Sequence, residues 1–295
     1  MDALDVPEGA VVVGVDGSAR AARALELAAR EAGRRRTVLH VVHAFPWLSQ
    51  AHGWEFAPET GAMSVAERVV ADAVDQVRAE HGGVTVTGQV VVDDPAVVLV
   101  EASERAAIVV IGARGLGRVA GQLLGSVSQK VAAHAHGPVL VVREQAPEDG
   151  GPVAVGVDPS GDAPEVLEYA FEEALRRGTG LLAVLAVEHE SVPPAYADDR
   201  VLTLLQEATR TTQGRFRSEL AAWERRYPGV PVEPLFPRQH PVEALVTVAA
   251  QACVVVVGSR GRRGLRAVRL GSVARGVLHR APAVVVVRVP AAGRA

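Results

Sequence analysis

Two stretches of this chain place glycines and a serine at one shared spacing. Gly112 and Gly115 are followed, nine residues on, by Gly125 and Ser126; Gly258 and Gly261 are followed at the same interval by Gly271 and Ser272. Each frame opens at the end of an apolar run, "AAIVVI" before Gly112 and "ACVVVV" before Gly258. Glycine permits positive φ and lets main-chain N–H groups approach an anion closely. A serine at a helix start adds unfilled N–H groups and the positive end of the helix dipole. The chemistry expected is therefore phosphate binding by backbone. The intervening residues, "LGRVAGQLL" and "RRGLRAVRL", share only their last leucine. Spacing kept while filler diverges favours a main-chain role over a glycine hinge with an ordinary serine cap.

Two other phosphate motifs fit less well. A Walker A loop needs lysine before its serine or threonine, and neither frame has one. "GLGRVA", Gly115 to Ala120, matches the loose dinucleotide fingerprint, but the second copy breaks it with Arg262 and Arg263. The strand "PVLVV" also stands where a ribose-binding acid would be required.

Asp16 and Asp158, after the first strand of each half, could contact a metal or a ribose. His134 and His136 could suggest a metal pair, but a helix-end role is commoner for such residues, and the second copy has Arg280 and Pro282 there. His40 and His43 flank an expected strand and read as packing or capping groups. The spacing supports no Ser-His-Asp or Cys-His constellation. Cys253, the sole cysteine, excludes an intrachain disulfide, fits a reducing cytoplasm and reads as a core residue.

These groups need a scaffold, and the chain supplies it twice. "AVVVGVDGSARAARALELAAREAG" is echoed by "VAVGVDPSGDAPEVLEYAFEEALRRG", and "PVLVVR" by "AVVVVR". Asp16 recurs as Asp158, Gly112 as Gly258 and Arg143 as Arg288, at nearly constant steps. Two homologous domains follow, 1–147 and 148–295, joined by the linker-like "EQAPEDGGP". In the first, strands are expected at Val11 to Val15, Thr37 to His43, Val84 to Val92, Ile108 to Gly112 and Val139 to Arg143. Amphipathic helices fall at Ala19 to Ala32, Ser64 to Glu80, Pro95 to Arg105 and Ser126 to Ala135. Continuous apolar strands require helices on both faces. The fold class predicted is α/β, with each domain a doubly wound, five-stranded, mostly parallel sheet of order 3-2-1-4-5. In that order, the first and fourth strands flank the switch point, which brings Asp16 and the first frame to one crevice.

Charged residues are 22% of the chain and hydrophobic ones 48%, the balance of a folded, soluble protein. A net charge of -3 and 4% aromatics argue against nucleic acid as partner. No apolar run reaches membrane-spanning length.

The ordered set "VGVDGS", "LHVVHAF", "VVIGARG" and "LGSVSQKVAAHAHGPVLVVR" resembles the universal stress protein family, specifically its ATP-binding branch, whose G-x2-G-x9-G-S/T both halves match. The resemblance covers nearly the whole chain and implies a tandem member of that family. By that resemblance Gly14, Val15 and Asp16 would line the adenosine side of the first site, and Val41 would pack against adenine. Gly112, Ala113, Arg114, Gly115, Leu116, Gly117 and Arg118 would surround the phosphates, and Gly125, Ser126, Val127 and Ser128 would complete the cradle. The second-copy counterparts are Gly156, Val157, Asp158, Val184, Gly258, Ser259, Arg260, Gly261, Arg262, Arg263, Gly264, Gly271, Ser272 and Val273. Asp16 and Asp158 would meet Mg through the nucleotide.

The copies also differ. Pro159 stands for Gly17, Ala183 for His40 and Ala274 for Ser128, which removes one phosphate hydroxyl from the second site. Arginines in the second loop read mostly as a solvated face. The reading implied is a cytoplasmic ATP-binding stress or regulatory protein without fast turnover, with Pro46 to Met63 as a loop that closes over the nucleotide. Slow metal-dependent ATP hydrolysis, and a scaffold with vestigial pockets, are the alternatives. The resemblance further implies that the two closing strands pair across the domains and that tandem chains form homodimers.

Overall fold

The structure, a computed structural model, describes residues 4–46, 60–115, 124–143, 150–158, 164–187, 199–260 and 270–289. The chain divides into two units. The first contains β1 (Val11–Gly14), α1 (Ala19–Arg35), β2 (Leu39–Ala44), α2 (Thr60–Glu80), β3 (Val86–Val91), α3 (Pro95–Ala102), β4 (Ile108–Gly112), α4 (Ser126–His134) and β5 (Val139–Val142). Its strands run β3-β2-β1-β4-β5, and β1 pairs in parallel with both β2 and β4. The switch point therefore lies where the sequence placed it.

The second unit holds β6 (Val153–Gly156), α5 (Pro164–Arg177), β7 (Leu181–Val184), α6 (Asp199–Arg226), β8 (Val232–Leu235), α7 (Pro241–Ala249), β9 (Val254–Gly258) and α8 (Ser272–Leu278). Its strands repeat the order as β8-β7-β6-β9. The closing strand β10 (Ala283–Val287) groups with the first unit, where it runs antiparallel beside β5. That pairing covers an otherwise open apolar edge.

Burial explains the strand composition. Val11, Val12 and Val13 are fully buried, as are Val153, Ala154 and Val155. Side chains of consecutive strand residues point to opposite faces, while register partners share a face. Gly14, beside its partner Ile111, lies under Leu99 of α3, whereas Gly112, one residue past Ile111, faces the backbone of Arg20 in α1. Helices thus cover both faces at the switch point. α3 starts sharply because Asp94 accepts from the N–H groups of Ala96 and Val97 and Pro95 occupies the first turn.

Register corrects one sequence correspondence. His40 lies opposite Val12 and Leu182 opposite Ala154, so the counterpart of His40 is Leu182, not Ala183. Ala183 matches Val41, and Val184 matches Val42. "LHVVHA" carries one histidine on each face and "LLAVLA" is apolar on both, so no alternation sets their alignment. α2 begins at Thr60, earlier than its apolar period indicated. The expected closing loop therefore shortens at its end, and 47–59 of it fall outside the described residues.

Candidate functional site

At the end of β1 the chain turns through Val15, Asp16 and Gly17 into α1. Gly17 takes φ 77°, a conformation glycine adopts without strain. Asp16 Oδ1 accepts from Ser18 N at 3.0 Å, and Ser18 Oγ caps α1 by accepting from Ala21 N at 3.2 Å. Val15 N donates to Val42 O at 2.9 Å. Val15 O bonds to His43 Nδ1 at 2.8 Å. His43 stacks on Phe45, so it fastens β2 to the turn.

The β4 end meets this turn. Ala113 N donates to Val142 O at 2.7 Å, extending the ladder past Gly112. A Cβ on Gly112 would stand 3.2 Å from Arg114 O and 3.3 Å from Arg20 O. A Cβ on Gly115 would be driven into Asp16 Oδ2. The crevice between the first and fourth strands is therefore as narrow as the absent side chain of Gly115 permits.

The start of α4 closes the third side. Gly125 N donates to Ala113 O at 2.8 Å, and the Cβ position of Gly125 lies 3.5 Å from both Ala113 O and Arg114 Cα. Gly125 is the N-cap, at φ -76° and ψ 158°, and provides no side-chain cap. Ser126 is exposed, Val127 partly exposed and Ser128 buried. Ser128 Oγ donates to Ala113 O at 2.9 Å, with Gly125 O at 3.0 Å as a second acceptor. Its hydroxyl holds loop to helix.

In the second copy, Gly271 N donates to Ser259 O at 2.8 Å, and Gly271 caps α8 in the same extended conformation. Ser259 is buried, and its Oγ accepts from Val289 N at 3.1 Å. A Cβ on Gly258 would lie 3.2 Å from Arg260 O, the turn seen after Gly112. Val157 N bonds to Val184 O at 3.0 Å, and Asp158 is exposed. Leu116, Gly117, Arg118, Gly261, Arg262, Arg263 and Gly264 lie outside the described residues. Ser272, which opens α8, is exposed, and Val273 is partly exposed.

The structure therefore brings Val15, Asp16, Gly112 to Gly115 and Gly125 to Ser128 to one end of the sheet. Four other expected residues pack against neighbours within the fold. Gly14 is filled from behind by Leu99, whose Cδ1 would stand 2.9 Å from an added Cβ, and Leu245 does the same for Gly156 at 2.7 Å. Val41 and Val184 are buried within the sheet, 0% and 1% exposed. Nor do the frame glycines Gly112, Gly115, Gly125, Gly258 and Gly271 use positive φ; what they supply is space. Sequence reasoning missed Ser18, Arg20 and the fastening role of His43. The S-x2-A step after "VDG" was the available signal for Ser18.

Among the described residues, the group whose ligand atoms converge as a metal site would is Glu26, Glu80 and His81, none of them in the frames. Glu26 there already meets Arg30 Nε at 2.7 Å and His81 Nε2 at 2.9 Å. His136 pairs with Glu104 at 3.5 Å. No helix of the described residues is long and apolar enough to cross a membrane.

A model of the Universal stress protein family matches residues 9–143 and again 151–288. Universal stress protein Rv1996 of Mycobacterium tuberculosis is 36% identical over 307 residues, spanning 95% of this chain and 95% of its own. A crystal structure of a universal stress protein from Archaeoglobus fulgidus shares the fold at TM-score 0.66 and 22% identity, covering 95% of this chain and 96% of its own. A universal stress protein solved in complex with cAMP is 30% identical, at TM-score 0.37, over 46% of this chain and 97% of its own.

Proposed function

The chain belongs to the universal stress protein family, and from that premise we propose that its first copy binds ATP in a regulatory role without fast turnover. One observation carries the reading: Gly125 begins α4 with no side-chain cap while packed against Ala113 and Arg114 of the β4 loop. The N–H groups of Ser126, Val127 and Ser128 are those a helix start leaves without intrahelical acceptors. Together with the dipole they favour a phosphate, and Gly115 lets the loop backbone come close to it. Arg114 supplies positive charge at the same rim. Asp16, with Oδ1 engaged by Ser18 N and Oδ2 turned toward Gly115, is the residue that would hold a nucleotide-bound Mg. Such an ion offsets phosphate charge. For the second copy, Asp158, Gly258, Ser259, Arg260, Gly271 and Ser272 are proposed in the matching places.

Gly125→Asp tests this. The position accepts a Cβ at ordinary contact distance, and aspartate is a better N-cap than glycine by a few tenths of a kcal/mol, so stability should hold or rise slightly. Its carboxylate would take the N–H groups that phosphate needs, weakening ATP binding in calorimetry about 30-fold or more. Native mass spectrometry of the wild type should find at least one ATP per chain. Unchanged ATP affinity in Gly125→Asp, or a wild type that takes no ATP, would sink the proposal.

A further inference from the structure

We infer that Glu26, Glu80 and His81 form a binding site for a divalent transition-metal ion of the zinc class, which ties the end of α2 to the middle of α1. The site lies outside both glycine frames and needs no nucleotide. Its ligand atoms come from two helices: Glu26 from α1, Glu80 from the last position of α2, and His81 from the residue that follows. All lie within 4.8 Å of one another. His81 Nε2 faces Glu26 Oε2 at 2.9 Å, and these side chains are only 20% and 19% exposed. Glu80 is exposed, which leaves an entry from solvent.

Each carboxylate is held by one oxygen and keeps the other for an ion. Arg30 Nε donates to Glu26 Oε1 at 2.7 Å, which leaves Oε2 toward His81, and Gln76 Nε2 donates to Glu80 Oε2 at 3.2 Å. Outer partners of this kind orient the ligands of metal sites. His81 N donates to Val77 O at 2.8 Å, so the imidazole is carried on the last turn of α2. That turn is the negative end of the helix dipole, where a cation is favoured. Arg30 offsets one of the two carboxylate charges and leaves the other to the ion.

The donor set selects the ion. One imidazole and two carboxylates suit zinc and its neighbours, whereas calcium and magnesium take oxygen ligands. Tetrahedral zinc with bonds of about 2.1 Å holds its ligand atoms roughly 3.4 Å apart, between the 2.9 Å contact and the 4.8 Å span seen here. Small side-chain rotations therefore close the three groups around an ion, with water in the fourth place.

The second copy carries its own cation at this place. Tyr227 follows α6 as His81 follows α2, each with its N–H on the carbonyl four residues back. Glu168 precedes Glu173 by the interval that separates Glu26 from Glu31, and Arg226 stands for Glu80. Arg226 Nη2 donates to Glu168 Oε1 at 2.6 Å, so a guanidinium fastens α6 to α5. In the first copy the arginine of the group, Arg30, is on the same helix as Glu26. The link between helices is left to an acid and an imidazole, and a bound ion joins them.

The test is calorimetric titration of the full chain with zinc chloride, without nucleotide. The wild type should take up one zinc ion per chain in the micromolar range, and its urea midpoint should rise with zinc. His81→Tyr, which installs the second copy's residue, and Glu26→Gln should each weaken zinc at least about ten-fold, since even outer partners of ligands are worth that much. Both should lose the zinc-dependent rise in midpoint while unfolding cooperatively without zinc. His136→Gln should change neither measurement, and millimolar calcium should not displace zinc. A wild type that takes no zinc, or zinc affinity unchanged in both His81→Tyr and Glu26→Gln, would overturn the assignment. So would an equal loss in His136→Gln, or displacement by calcium.

Discussion

Gly115→Ala isolates the contact that narrows the crevice. Gly115 is not among the residues at positive φ, so the whole effect must come from its added methyl group. That group would enter the space of Asp16 Oδ2 and stand 3.4 Å from Asp16 Cγ. The carboxylate can yield only by rotating, which breaks its 3.0 Å bond from Ser18 N and loosens the entry to α1. A hydrogen bond to a charged group contributes about 1.5–3 kcal/mol, and Asp16 is partly exposed, which places the loss near the lower end. Alanine also restricts the unfolded chain and returns about 0.4–1 kcal/mol. The net destabilisation expected is about 1 kcal/mol. Asp16→Ala removes the obstacle, so Gly115→Ala in that background should be neutral or stabilising by about 0.4–1 kcal/mol. Urea denaturation of the wild type, both single variants and the double variant gives the coupling directly. A cycle additive within about 0.5 kcal/mol would refute the claim that Gly115 exists to make room for Asp16.

Four further variants can be checked by the same denaturation measurements. Glu31 is 1% exposed and meets Arg35 at 2.6 Å and Arg34 at 3.5 Å, so Glu31→Ala should cost about 3 kcal/mol by taking a shared carboxylate from two shielded guanidiniums. Glu173→Ala, with Arg177 at 2.5 Å and Arg176 at 3.1 Å, should do the same in the second unit. His40 is buried, and burial lowers its pKa from the ordinary 6.5, so the fold prefers the neutral ring. The unfolded chain takes up the proton first; this contribution to stability is therefore full above pH 6.5 and is lost as pH falls toward the folded value. His40→Leu, which installs the second copy's residue, should flatten that part of the profile between pH 5 and 7, about the range in which histidine titrates. Ser128→Ala should cost about 1 kcal/mol, since Ala113 O and Gly125 O keep their backbone donors, and should weaken ATP binding several-fold by freeing loop from helix.

The strands were legible because a sheet covered on both faces leaves no place for polar side chains. Val109 and Val110 in β4 and Val141 and Val142 in β5 announce that burial directly. The α3 start was equally plain in "DDPAVV", where an Asp cap precedes a first-turn proline. What composition hides is which neighbour fills a glycine. Gly14 and Gly115 look alike in the sequence, yet Leu99 occupies the space beside one and an Asp16 oxygen the space beside the other. The same limit produced the slip at His40, because a doubly covered strand carries no alternation from which register could be read. Nor does sequence say which way Ser128 turns: a serine two residues past a helix start can point its hydroxyl outward or, as here, back onto the loop.

The two frames separate what the fold requires from what a ligand requires. Gly112 and Gly258 each sit 3.2 Å, by their missing Cβ, from the carbonyl two residues on, so a tight turn after the fourth strand excludes side chains whether or not anything binds. The hydroxyls around that turn do different work. In the first copy Ser128, on the helix, donates to Ala113 O and ties helix to loop; in the second Ala274 is buried on the helix, and Ser259, on the loop, accepts from Val289 N beyond β10. Each hydroxyl is engaged within the fold, so neither serine marks a binding site by itself. Gly125 is different. Its Cβ position is open to ordinary contact, its backbone angles suit a capping aspartate or serine, and such a residue would serve α4 better than glycine does. Folding alone gives no reason for glycine there. A phosphate that needs the bare helix start does, which is why Gly125→Asp, more than any change at Gly112, distinguishes a nucleotide site from an empty scaffold.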